Sequence, residues 1–231
     1  MSALAPFGPD IWTAGGTTVS FLGFPYPTRM AVVRLSSGAL WVWSPIALTP
    51  GLKSEIDALG PVVHLVSPNK LHHLFLGQWK DAYPQARLYA SPGLAKRRRD
   101  LVFDATLGDG AEPGWAGEID QVAMVGSVAM TEIVFFHRES RTAIFADLVQ
   151  NFRPGWFKGW RGFVARLDGL VMPHGGAPRE WRLNFLRRGR ARRALARILA
   201  WDAERVVIAH GEMTQSGGAS FIRKTFRWLE R

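Results

Sequence analysis

Three ionisable side chains stand just past apolar, strand-like runs: His72 after Val66, Asp147 after Ala146, and His210 after Ala209. In a chain that alternates strands with helices, strand ends converge on one edge of the sheet, so residues far apart in sequence can meet there. Two imidazoles and a carboxylate form a sound ligand set for one Zn (or Mn or Fe) ion, with a fourth position left for water. A bound metal lowers that water's pKa toward 7 and creates a hydrolytic nucleophile at neutral pH. The polar loop Ser67-Pro68-Asn69-Lys70-Leu71-His72-His73 supplies further candidates. Asn69 is expected to orient water or substrate, with Ser67 and His73 lining the pocket. A helical neighbour points about 100° away, so only one of His72 and His73 should face the site. His174, in Met172-Pro173-His174-Gly175-Gly176, is a loop residue that could reach the same pocket. His64 reads as a core histidine and His137 as a group bonded at a turn. Glu132 lies in an apolar strand, where a carboxylate needs a partner; it reads as a metal ligand or, in preference, as the partner of an arginine such as Arg141.

The elements that must position these groups alternate regularly. Thr17 to Leu22, Met30 to Leu35 and Ala39 to Trp43 read as strands, the last two joined by Ser36-Ser37-Gly38. Thr49 caps a helix that opens on Pro50 and stops at Gly60. A buried strand follows over Pro61 to Val66, then a helix from His72 to Tyr83, a strand over Arg87 to Ala90 and a short helix into Lys96 to Arg99. The second half reads as strands over Glu118 to Ala123, Met130 to His137 and Thr142 to Ala146, the last ending on Asp147. Residues 150 to 163, rich in Trp, Gly and Phe, read as a packed loop or lid. A long helix spans Glu180 to Trp201, with a strand over Arg205 to Ala209 and a terminal helix from Gly217 to Arg231 completing the chain. Strand–helix alternation with short links marks an α/β layer, and nothing in the chain reads as a linker, so residues 1 to 231 are expected to form one domain.

The order of these features resembles the metallo-β-lactamase superfamily. Phe135-Phe136-His137-Arg138-x-x-Arg141-Thr142 leading to Ala146-Asp147-Leu148, together with Ala209-His210-Gly211, carries a closer resemblance to that superfamily's DUF4336 group, over nearly the whole chain from about Ile11. The resemblance implies a four-layer αββα sandwich with a hydrolytic di-metal site at one edge. Laid on Ser67 to His72, the superfamily's His-x-His-x-Asp-His pattern keeps only its last histidine. Ser67 and Asn69 replace two histidines, and Leu71 replaces the aspartate. A further histidine expected near Gly126-Ser127 is also missing. The resemblance then matches Asp147 to the bridging aspartate and His210 to the final histidine, leaving a degenerate site with one ligand set, His72, Asp147 and His210.

Composition narrows the function classes. The chain has 231 residues, 47% of them hydrophobic, and no cysteine, which excludes disulfides, thiolate metal sites and cysteine nucleophiles. No run approaches the ~20 apolar residues that span a bilayer, and the N-terminus lacks a leader pattern, so a cytoplasmic location is expected. The net charge of +10 is concentrated in Arg179, Arg182, Arg187, Arg188, Arg190, Arg192, Arg193 and Arg197, and in Lys96 to Arg99. Such clusters favour an anionic partner. Two functions follow as expectations: a mono-metal hydrolase of an ester, amide or phosphodiester, or a metal-free member of the fold that binds a small molecule or nucleic acid. Nucleic acid is the less favoured partner, because the arginine helix carries no interleaved aromatics for stacking.

Overall fold

The computed structural model describes residues 3–230. Its seven-stranded sheet runs in spatial order from β1 (Leu4–Gly8) through β2 (Ile11–Phe21), β3 (Phe24–Arg34), β4 (Leu40–Trp43), β5 (Val62–Val66) and β6 (Arg87–Ala90) to β7 (Ala105–Thr106). The four-stranded sheet has the order β11 (Arg205–Gly211), β10 (Thr142–Asn151), β9 (Glu132–His137) and β8 (Ile119–Met124). Strands β4 to β7 are parallel, as are β10 and β11; the other neighbours are antiparallel.

Apolar alternation makes each sheet two-faced and stacks them into layers. Between the sheets, Trp41, Trp43 and Val66 meet Phe135, Ile144 and Val207 in one buried cluster. On the outer face of the first sheet, Val32, Leu40 and Leu65 are covered by Leu52 and Ile56 of α1 (Pro50–Leu59) and Trp79 of α2 (Leu76–Ala82). On the outer face of the second, Phe145 and Ile208 are covered by Leu195 and Ile198 of α6 (Arg188–Ala200) and Ile222 and Phe226 of α7 (Gly218–Phe226). The result is the αββα sandwich that the resemblance implies. Thr49 caps α1 as expected, its hydroxyl accepting from Leu52 N at 3.2 Å.

Several boundaries differ from the sequence reading, each for a physical reason. Strand β1 was not anticipated, and β2 begins at Ile11 rather than Thr17, because β1 and β2 pair across a tight turn at Asp10. The expected helix from His72 begins only at Leu76; the preceding residues form a loop held by side-chain bonds. Within the expected loop of residues 150 to 163, a helix α4 (Trp160–Leu167) starts. The long helix from Glu180 breaks into α5 (Arg179–Leu183) and α6, because buried Phe185 turns inward and Arg187 N donates to Gly126 O. At the C-terminus α7 gives way to a 3₁₀ turn over Arg227–Leu229, and Arg231 lies outside the described residues.

The deviation that matters most is in β10, which runs straight through Asp147 to Asn151. Its ladder with β9 ends at Ile144, and its pairing with β11 is out of register between Phe145 and Gln150. Asp147 therefore sits in a bulge inside a buried strand, a device that re-aims a side chain toward a site. After His210 the chain turns at Gly211, with φ +100 and room for no side chain, since a Cβ there would lie 2.3 Å from Asn151 O. Replacing Gly211 with Ala is expected to destabilise the protein by at least about 1 kcal/mol, or roughly 2–4 °C in Tm at this size. Thermal unfolding of the variant checks this.

Candidate metal centre

The loop after β5, the bulge in β10 and the end of β11 bring His72, Asp147 and His210 together, with one donor atom of each within 4.8 Å of the others. Among the described residues this is the one group of three such side chains close enough to hold a metal ion. His72 Nε2 lies 3.3 Å from Asp147 Oδ2, and His210 Nε2 lies 3.2 Å from Asp147 Oδ1. Each imidazole is anchored through its other nitrogen. His210 Nδ1 donates to Pro27 O at 2.8 Å, and His72 Nδ1 pairs with Ser44 Oγ at 2.7 Å. On His210 the proton held at Nδ1 leaves Nε2 as a lone-pair donor, the tautomer that ligates metal; on His72 the Ser44 hydroxyl can accept from Nδ1 and support the same tautomer. Ser44 reaches this position in the left-handed region, with φ +50, a conformation that non-glycine residues adopt rarely and that clusters at functional sites.

A second carboxylate supports the first. Glu132 of β9 is fully buried, and its oxygens accept from Ala146 N at 2.8 Å, Asp147 N at 2.8 Å, Leu148 N at 3.2 Å and Asn69 Nδ2 at 3.0 Å. These amides are the ones left without strand partners at the bulge. Glu132 thus completes the ladder, and it does not pair with Arg141, which instead bonds Asp202 at 2.7 Å. Burial and then the Asp147 charge lift the Glu132 pKa to about 8, against the pull of the amides. For Asp147, burial is the largest influence and pushes upward; His72 and His210 outweigh it and hold the carboxyl well below its usual range.

Asn69 has a different part from the expected one. Its Oδ1 accepts from Leu71 N at 2.9 Å, which fixes the amide orientation, so its NH₂ group donates to Glu132 and, at 2.9 Å, to Asp147 Oδ2. It is fully buried and does not border the cavity, so it positions Asp147 and is not placed to meet water or substrate. Ser67 is equally enclosed, with its hydroxyl turned to the carbonyls of Asn69 and His72 at 2.9 and 2.7 Å. His174 is exposed on its loop and borders no part of the cavity. His73 does border it, apart from the three-residue cluster; burial, then Arg97 and Arg98, pull its pKa down to about 4, so the ring is neutral.

The cluster opens into a cavity of about 290 Å³. Sequence reading missed most of its walls: Phe21, Tyr26, Leu74, Arg97, Gln150 and Trp181. Tyr26 packs edge-on against His210, with ring centres 5.1 Å apart. Burial, then Glu180, Asp147 and Asp168, push its phenol up, so it stays protonated. Arg97 belongs to the expected Lys96–Arg99 cluster, whereas no arginine of α6 borders the cavity. His64 and His137 are buried away from it, beside Tyr89 OH at 3.2 Å and Ser140 Oγ at 2.8 Å.

The donor set fits one metal ion and not two. His72, His210 and Asp147 offer two imidazole lone pairs and a carboxylate. The Ser67 hydroxyl is buried against the carbonyls of Asn69 and His72, and the Asn69 amide presents N–H donors to Glu132 and Asp147, so neither is directed to a second cation beside the cluster.

A family model described as "Domain of unknown function (DUF4336)" matches residues 10–155. No curated protein sequence matches the chain. Among solved structures, the DIM-1 metallo-β-lactamase exposed to ceftazidime is 16% identical with a TM-score of 0.63, the likeness covering 98% of this chain and 95% of that one. A metallo-β-lactamase from Pontibacter korlensis is 13% identical with a TM-score of 0.62 over 99% of this chain and 98% of that one. The Flv1 flavodiiron core from Synechocystis is 12% identical with a TM-score of 0.64, over 98% of this chain and 60% of that one. At such identities these similarities establish the metallo-β-lactamase fold and nothing about substrate.

The raised Glu132 pKa has a measurable consequence. The folded carboxyl keeps its proton to higher pH than the unfolded chain does. Its contribution to stability is therefore fully present below about pH 4.5 and is lost as pH rises through 8. Glu132→Gln cannot titrate and puts an NH₂ group among N–H donors, so it should be less stable overall. The gap to the wild type should narrow between pH 5 and 8. Urea unfolding of both proteins in chelator checks this, and a gap that widens with pH contradicts the assignment.

Proposed function

Because the chain belongs to the DUF4336 family and presents a His–Asp–His cluster on a metallo-β-lactamase fold, we propose that it is a mono-metal hydrolase of a small ester, amide or phosphodiester. The observation that carries this reading is the pair of anchored imidazoles, each turning Nε2 toward Asp147 at the floor of an accessible cavity. His72, Asp147 and His210 would hold the ion. A bound Zn, Mn or Fe ion supplies Lewis acidity and a nucleophilic water of lowered pKa.

The chain's own groups have separable parts. Ser44 and the Pro27 carbonyl orient the two imidazoles, and Asn69 with the bulge amides fixes the carboxylate. Apolar Phe21, Leu74 and Trp181 border the cavity and offer a bound substrate an apolar wall. Arg97 offers the cavity a cation, which suits an anionic substrate. Protonated Tyr26, beside His210, offers a neutral hydroxyl donor.

One observation favours a second reading. The two Nε2–Oδ separations, 3.3 and 3.2 Å, already bring the imidazoles close enough for weak contact with Asp147, so the cluster can close as a paired group without an ion. The protein would then bind a small molecule in the same cavity without catalysis. Nucleic acid fits that cavity poorly, since the arginines of α6 lie elsewhere.

Metal content separates the two. Untagged protein is expected to carry about one equivalent of Zn, Mn or Fe, and added Zn²⁺ should raise Tm through binding to the folded state. Asp147→Ala should abolish both effects, and Ser44→Ala should weaken metal affinity about 10–100-fold by freeing His72. Less than about a tenth of an equivalent of any metal, with no response of Tm to Zn²⁺, would sink the hydrolase reading.

A further inference from the structure

Helix α4 is amphipathic with its faces reversed. At about 100° per residue, Trp160, Phe163, Val164 and Leu167 fall within an arc of roughly 100°. All four are exposed, Trp160 by 61% and Phe163 by 65%. Ala165 alone in the helix is buried. A helix docked on a core turns its apolar arc inward; this one turns it outward, with Arg161 and Arg166 on the two flanks of the arc.

The hairpin between β2 and β3 extends the same surface. Its tip carries Phe21 and Leu22, the latter 80% exposed. Arg161 Nε donates to Gly23 O at 2.7 Å and its guanidinium lies 5.0 Å from the Trp160 ring centre, so tip and helix are tied together. Phe24 of the hairpin packs edge-on against Trp160 at 5.4 Å. Between them a cavity of about 320 Å³ is walled by Phe21, Leu22, Val164 and Leu167, which makes the apolar surface continuous. Exposed Lys158 lines a neighbouring cavity with Arg161 and adds a third cation close by. Two carboxylates, Asp168 and Glu180, line that cavity, and Asp168 accepts from Glu180 N at 3.1 Å.

We infer that this surface seats the protein on an anionic lipid bilayer. An apolar arc bearing Trp and Phe, flanked by arginines, is the pattern of a helix lying in the membrane interface: the arc enters the acyl boundary while the cations meet head-group phosphates. A second copy of the chain suits the surface less well. An isologous contact would bring together two copies of the same cation-rimmed patch, whose like charges oppose association. The inference is independent of whether the metal centre is loaded.

Flotation with vesicles tests it. The intact protein is expected to rise with vesicles of equal parts phosphatidylglycerol and phosphatidylcholine, and poorly with phosphatidylcholine alone. Phe163→Asp and Leu167→Asp change exposed positions and should keep the wild-type Tm. Each should lose roughly tenfold or more of the binding, because a large apolar group no longer leaves water. Phe163→Ser, a milder change, should show the same loss if either aspartate variant fails to fold. Three results would overturn the inference: no binding to the phosphatidylglycerol vesicles; variants that bind like the wild type, which would assign attraction to the arginines of α6; or a wild-type dimer in light scattering that the variants dissolve.

Discussion

The carboxylate of Glu132 is the interaction on which the site depends. A bulge in a buried strand exposes backbone amides to a medium where each unpaired N–H costs about 1–3 kcal/mol. At Ala146, Asp147 and Leu148 those amides have no strand partner, and one side chain from β9 receives all three. The bulge can then persist, and with it the direction in which Asp147 points. A carboxyl group is suited to this work, because its two oxygens have lone pairs enough for several donors at once. Its location also raises its own pKa, since it is buried beside a second carboxylate. Two acids in one buried network are pushed apart: one is lifted by burial and its neighbour, the other held down by two imidazoles.

The same network explains why Ser67 and Asn69 can stand where the superfamily's pattern has histidines. Their polar groups are fully used inside the loop and the bulge, so the loop keeps its shape without a cation to bind it. Metal ligands ordinarily double as structural ties. Here the ties on one side are hydrogen bonds, while the other side has two imidazoles, each held through its Nδ1.

What the sequence revealed divides along the range of the interactions involved. The cap at Thr49, the stop at Gly60, the strands about Val66 and Ala209 and the grouping of His72, Asp147 and His210 all follow from local pattern or from strand-end convergence. The passage of β10 through Asp147 does not, because it is decided by Glu132, 14 to 16 residues earlier, through a side chain that substitutes for a backbone partner. Glu132 was conspicuous as a carboxylate in an apolar strand, yet charge alone pointed to Arg141; the true partners were amides with no mark in the residue types. The part of Asn69 is hidden for a similar reason, since its partners lie 63 and 78 residues away. In α4 the helical period is present, but its apolar arc faces out, and a Trp- and Gly-rich context reads as loop packing when no partner surface is known.

The exchange of a histidine for Asn69 constrains the number of ions more strongly than a missing ligand would. A vacant ligand position can be filled by water, and a metal can still bind there with lower affinity. An amide whose carbonyl is committed to Leu71 N must present N–H to Asp147 Oδ2, placing partial positive charge on the lone pair that a bridging cation would require. Cation and amide therefore compete for one oxygen, and the amide is held by three hydrogen bonds of 2.9 to 3.0 Å. The other carboxylate oxygen, Oδ1, faces His210 and is free of such a donor. In the proposed metal site Asp147 is therefore asymmetric: Oδ2 is shared between the Asn69 amide and His72, while Oδ1 faces His210 without an amide donor, an arrangement that suits one ion better than two.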